Sequence, residues 1–395
     1  MKPDFLALAE QLLPEMSARR RDFHRHPELG FQEVRTAGIV AQELNRLGLE
    51  VTTGVGQTGV VGMLEGDRPG PTILLRFDMD ALPIQEANAV DYASKTPGVM
   101  HACGHDGHTT MGLAVAQLLA PLRGQFAGAL KFVFQPAEEG LGGAEAMLKD
   151  GVLDKIGPAA DRSLAMHLWN EKPVGWVAAT DGPAMAASER FVVTLRGQGG
   201  HGAAPHQTKD PVVAAAHIIT ALQTIVSRNA NPLESAVISA TMVKGGEAFN
   251  VIPDSATLGG TIRTFRPGVR DLVLRRLGQV AEGVAAALEC EAAIQTWRVT
   301  PATVNDAAMA AIVRELAGSL PGVTHVSSDE RTMGSEDMAY MMDTLPGCYF
   351  FVGSNNAQRG LNFAHHHPRF DFDEQALVLG TALMARAAAH YVLPD

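Results

Sequence analysis

Apolar positions along the chain follow two periods. Near the start, Leu6, Leu12, Leu13 and Met16 recur at helical spacing, and residues 34–47 do so up to Gly48. That spacing predicts two helices. Residues 56–66 then read as a short Gly-rich β segment centred on Val60 and Val61. Residues 72–77 (TILLRF) are mostly apolar, the pattern of a buried strand in a mostly parallel sheet. A helix over 109–119, a strand over 129–134, a helix over 143–149 and a strand over 163–168 follow. This alternation specifies an α/β domain.

The middle of the chain changes order. Residues 191–196 read as strand, 211–228 as helix, 236–243 and 256–265 as strands, 269–288 as helix and 291–299 as strand. The sequence β-α-β-β-α-β is the ferredoxin-like split motif, and its length suffices for a domain. After Pro301 the first pattern resumes, with helices over 306–320 and 376–391 and a strand over 348–353. The expected organisation is a discontinuous α/β domain (1–186 and 300–395) interrupted by a smaller one (187–299).

Composition narrows the function classes. The 395 residues suit about two domains. Hydrophobic residues at 46% and charged ones at 19% are ordinary for a soluble globular chain. A net charge of −11 disfavours a nucleic-acid binder, whose footprint is basic. No uncharged apolar run reaches about 18 residues, so no membrane helix is expected. The N-terminus lacks the cleavage site of a secretory signal. Cys103, Cys290 and Cys348 are odd in number and far apart, which predicts free thiols and a reducing cytoplasm. The 14 histidines are the unusual item, because several cluster.

Four places carry candidate chemistry. His101-Ala102-Cys103-Gly104-His105-Asp106-Gly107-His108 is dense in donors for zinc-like ions, and its alternative is a solvated helix entry capped by Asp106. Glu138 and Glu139 follow the 129–134 strand, where α/β sheets place their sites. Two adjacent carboxylates there suit a metal ligand beside a proton acceptor; taken alone, they read first as a surface loop with two acids. His167 ends a predicted strand and, alone, reads as a structural histidine before it reads as a ligand. His365, His366 and His367 are consecutive, so at most one or two of them can serve one ion. Together, five or so donors fit a two-metal site better than one tetrahedral zinc.

Longer strings add a resemblance. HRHPELGFQE (24–33), RFDMDALP (76–83), MHACGHDGH (100–108), FQPAEEGLGGA (134–144), HGAAPH (201–206), FNVIPDSATLGGTIRTF (249–265), GSEDM (334–338) and HHPRFDF (366–372) occur in this order. The chain thereby resembles the M20 metallopeptidase clan, in particular its amidohydrolase subfamily of hippurate hydrolases, aminoacylases and indoleacetyl-amino-acid hydrolases. The resemblance implies a zinc-exopeptidase-like catalytic domain with an inserted lid and dimerisation domain. It implies two divalent ions, zinc or manganese with cobalt and nickel as further candidates, held by Cys103, His105, Glu139, His167 and His366.

By the same resemblance Glu138 is the general base, Asp80 orients a ligand, and Asp78 stands where related peptidases carry a histidine ligand. His201 helps hold the oxyanion, in some members from the partner subunit. Asn250 and Arg263 hold the substrate carboxylate. Met338, where Phe is more usual, is expected to line the pocket. Without the resemblance, His201 reads as a turn histidine and Arg263 as an exposed strand residue. His24, His26 and His108 carry no assigned role, and His217, His325 and His390 read as structural or solvated. The implied activity is metal-dependent hydrolysis of N-acyl L-amino acids, small-molecule substrates, by a homodimer or higher homo-oligomer. A dipeptidase or carboxypeptidase of the same clan and a non-catalytic metal-binding homologue are the alternatives.

Overall fold

The computed structural model describes residues 3–394. The chain forms two compact units: one comprises residues up to Ala184, Val304–Arg331 and from Asp337 onward, the other Met185–Thr303 with Thr332–Glu336.

The larger unit is built on an eight-stranded mixed sheet in the order Glu50–Val55, Gly59–Glu65, Ala127–Gln135, Arg68–Asp78, Arg162–Pro173, Gly347–Asn355, Trp176–Ala178, His325–Ser327. Its centre is parallel. Thr72 to Asp78 and Ala129 to Gln135 are buried throughout, because helices cover the sheet centre, and the polar Arg76, Asp78 and Gln135 within them bond to one another. The strand Glu50–Val55 escaped the sequence reading, since EVTTGV has no apolar alternation and lies near the sheet edge, largely exposed.

Helix His105–Leu119 starts four residues earlier than its apolar pattern suggests. All its residues except Gln117 are buried. An all-round buried helix must approach its neighbours closely, and Gly112 permits this: a Cβ there would meet the Phe77 ring at 2.7 Å. The Ala-rich helix Gln375–Val392 packs beside it, with Gly380 against Met111.

In the smaller unit, strands Ala187–Arg196, Ala236–Gly245, Ser255–Thr264 and Glu291–Thr300 alternate with helices Pro211–Thr224 and Pro267–Ala287 in β-α-β-β-α-β order. The sheet is antiparallel throughout. Phe191, Val193, Leu195, Leu258 and Ile262 face Ile218, Leu222, Val273 and Leu277 from the helices, forming one core. Asp210 caps the first helix by accepting from Val212 N and Val213 N, with Pro211 at its first position.

Pro211–Asn229 is long and apolar enough to cross a membrane by length and mean hydropathy, and a third of it is buried in the fold. Its apolar stripe packs on the sheet. Thr332–Glu336, expected with the larger domain, joins the smaller unit instead. The reason is main-chain bonding: Met185 bridges Thr332, and Ala186 N–H donates to Gly334 C=O.

Candidate metal centre

The donors gather where parallel strands end. Asp78 closes one strand, the Gln135–Glu139 turn closes its neighbour, and His167 lies on the next. Gly104, at φ +96°, turns the chain into helix His105–Leu119 and sets Cys103 before its first residue. That backbone angle belongs to glycine. His105, Asp106 and His108 are at most 1% exposed, which excludes the solvated helix entry. Asp106 is not the cap; its carboxylate pairs with Arg20 and His24.

Hydrogen bonds fix which ring nitrogen each histidine offers. His105 Nδ1 donates to the Asp80 carbonyl at 2.9 Å, leaving the Nε2 lone pair free. His167 Nδ1 donates to the Leu168 carbonyl at 2.6 Å, leaving Nε2, which lies 3.5 Å from Cys103 Sγ. Burial lowers the His167 pKa well below its ordinary value, so its ring is neutral, the ligating form. His366 Nε2 lies 3.3 Å from Glu139 Oε1, and His105 Nε2 4.0 Å from the same oxygen.

The donor set has unsatisfied atoms that suit a cation. His105 Nε2 and Glu139 Oε1 are buried and have no hydrogen-bond partner among the described residues. Both converge with Cys103 Sγ within 4.8 Å of one another. Burial pushes the Cys103 thiol well above its ordinary pKa, and the Glu139 charge adds to this. A divalent cation reverses such a balance. The residues fit a thiolate- and imidazole-binding metal.

Two nearby histidines are already committed. His108 Nδ1 donates to Asp78 Oδ1 at 2.6 Å, and its Nε2 accepts the Leu168 N–H at 2.9 Å. His365 Nε2 accepts the Asn170 N–H at 3.1 Å. His108 and His365 nonetheless lie in the donor cluster, each beside His167, and His365 Nδ1 is buried without a hydrogen-bond partner among the described residues. Asp78 is held by Arg76 at 2.7 Å and by His108. Burial would raise its pKa, but His105, His108 and the Arg76 guanidinium beside it hold it well below the carboxylate range.

The turn after the second strand carries both acids. Ala137 has φ +52°, an angle costing a non-glycine residue roughly 1–2 kcal/mol. Its N–H donates to Glu33 Oε1 at 2.8 Å, which holds the turn. Glu139 N–H donates to Asp80 Oδ2 at 3.0 Å, so Asp80 fixes Glu139 and, through its carbonyl, His105. Glu138 Oε1 accepts the Asp337 N–H at 3.3 Å. Asp337 Oδ2 accepts from Gln135 Nε2 at 3.0 Å and Ala144 N at 2.8 Å, clamping both sides of the turn. Asp337 belongs to the GSEDM string, but nothing in the sequence links it to residues some 200 positions away. Met338 beside it is fully buried, so it packs in the core instead of lining a pocket.

Among the smaller unit's expected residues, His201 pairs with Val251 across a two-residue ladder, next to Asn250, whose carbonyl accepts the Gly202 N–H. Arg263 is half-buried and donates to the hydroxyls of Ser188 and Thr261.

Comparison with known proteins gives one answer. The family model "Peptidase family M20/M25/M40" matches residues 74–390. The chain is 39% identical over 395 residues to IAA-amino acid hydrolase ILR1-like 4 of Arabidopsis thaliana, covering 98% of this chain and 89% of that protein. It is 39% identical over 371 residues to N-acetylcysteine deacetylase of Bacillus subtilis (strain 168), covering 93% and 94%. The crystal structure of the Bacillus subtilis YXEP protein, described as a dinuclear metal binding peptidase from the M20 family, superposes with TM-score 0.84 at 35% identity over 96% of this chain and 98% of that one. A buried cluster of Cys, His and Glu donors at strand ends, a matching family model over most of the chain and near-full-length relatives agree, and the chain belongs to peptidase family M20/M25/M40 as one of its hydrolases.

Proposed function

We propose that this hydrolase cleaves the amide bond of N-acyl L-amino acids, releasing a carboxylic acid and a free amino acid. The observation that carries the reading is the pair of buried atoms, His105 Nε2 and Glu139 Oε1, left without hydrogen bonds among the described residues beside Cys103. Cys103, His105, Glu139, His167 and His366 are the residues that would hold two divalent cations. Such cations, when bound, supply Lewis acidity toward an amide carbonyl and acidify water.

The chain's own residues do the rest. Glu138, steadied by the Asp337 N–H, takes a proton from the attacking water and delivers it to the leaving nitrogen. Asp80 fixes the direction of His105 and Glu139. His201 is assigned to the developing oxyanion, and Asn250 and Arg263 to the substrate carboxylate, which a guanidinium fork grips with two bonds. The relatives named for N-acetylcysteine and for IAA-amino acid conjugates support an acylated amino acid as substrate.

The test pairs metal analysis with a panel of N-acetyl and N-benzoyl amino acids and dipeptides. Apo-protein titrated with zinc or manganese is expected to regain activity at two ions per chain, N-acyl amino acids being turned over best. Glu138→Gln is expected to keep both ions and lose about 10²–10⁴ in kcat. Full activity in that variant, or a clear preference for dipeptides, overturns the reading.

A further inference from the structure

The helix-free face of the smaller unit's sheet carries two neighbouring guanidiniums, those of Arg190 and Arg263, without a carboxylate partner among the described residues. Along Ala187–Arg196, Phe191, Val193 and Leu195 turn toward the helices. Alternation therefore turns Ser188 and Arg190 to the opposite face. Register sets Ser188 opposite Arg263, and Arg190 opposite Thr261 on one side and Trp297 on the other. Arg190 and Arg263 are thus diagonal cross-strand neighbours, roughly 7–8 Å apart at the backbone and within reach of long side chains.

Arg263 is half-buried, and its Nη1 donates to Ser188 Oγ, Thr261 Oγ1 and the Ile262 carbonyl. Those bonds fix the guanidinium in place. Arg190 is exposed. Neither arginine has an acidic partner among the described residues. Glu189, the buried acid of the same strand, lies on the other face and pairs with Arg270. Burial and the Arg190 charge both press the Arg263 pKa downward, as expected of like charges without a counter-ion between them. An anion relieves this arrangement, and a dianion relieves both charges.

We propose that Arg190 forms a second anion subsite beside Arg263, which binds the side-chain carboxylate of an acidic amino acid, so that the preferred substrates are N-acyl derivatives of glutamate or aspartate. The proposal rests on the reading in which Arg263 takes the α-carboxylate. One fork grips one carboxylate. A separate arginine on the adjacent strand suits a second carboxylate carried on a short side chain.

The experiment compares kcat/KM for N-acetyl-L-glutamate and N-acetyl-L-glutamine, nearly equal in size and differing in charge. Wild type is expected to favour the glutamate compound by about tenfold or more, the worth of one charge-assisted hydrogen bond. In Arg190→Gln that ratio collapses toward one, and the loss appears in KM for the glutamate compound. Thermal melting checks that the variant folds. A wild-type ratio near one overturns the proposal. So does an equal loss on both substrates in Arg190→Gln, which would make Arg190 part of the α-carboxylate site. If neither N-acetyl compound is hydrolysed, the N-acyl reading fails by itself. The same ratio is then read on Ala-Glu and Ala-Gln, where the amino-acid half is unchanged, and the same two outcomes decide.

Discussion

Three consecutive histidines show how backbone angle decides chemistry at the scale of a residue. His365 turns inward and accepts from Asn170 N. His367 stacks on Phe363 with ring centroids 4.7 Å apart. His366 has φ +65°, and its N–H donates to the Ala102 carbonyl. That left-handed angle, strained for a non-glycine residue, aims its ring at Glu139. No residue-type pattern tells these three apart; the angle does. His24 is a second case. Its two nitrogens lie 2.8 Å from Asp106 and 3.2 Å from Glu86, both carboxylates, so both must carry protons.

Burial and the Arg20 charge press against the second proton on His24, but hydrogen bonds to Asp106 and Glu86 outweigh them and raise its pKa above 6.5. A base with a raised folded pKa contributes stability that is fully present below its unfolded value and is lost as pH rises through the folded one. The Tm gap between wild type and His24→Gln is therefore expected to be widest below pH 6.5 and to narrow as pH rises above it. A gap independent of pH from about 6 to 9 would show that His24 is not a buried imidazolium.

At the scale of elements, one helix organises the site. His105–Leu119 puts a donor on its first residue, a carboxylate on its second and a supporting histidine on its fourth, and its position against the sheet depends on Gly112. The Cβ of Gly112→Ala would enter the Phe77 ring, so the variant is expected to lose about 1–3 kcal/mol in denaturant unfolding despite alanine's better helix propensity. A neutral or stabilising result would mean that Phe77 yields freely. The apolar core of this helix was legible from residue 109 onward. Its first turn was not, because His, Asp and Gly give no apolar period there, and only burial among Arg20, His24, Asp78 and Leu168 makes that turn helical.

At the scale of the molecule, the cation donors all belong to the larger unit. Metal binding is expected to stabilise that unit, and so raise its melting transition, by about 2.7 kcal/mol for each ion at a hundredfold excess over Kd. Calorimetry of chelated and reloaded protein reads this directly, and a transition indifferent to zinc and manganese would remove the metal from the fold.

The sequence by itself determined the α/β and β-α-β-β-α-β patterns, because burial imposes periods of 2 and 3.6 on any chain. It also marked which strings were dense in donors. Tertiary structure alone decided that His108 and His365 spend their lone pairs on backbone amides. It alone brought Asp337 to Glu138 and set Arg190 diagonal to Arg263. Those outcomes depend on hydrogen bonds and strand register between residues far apart in the chain, and no local pattern encodes a distant partner.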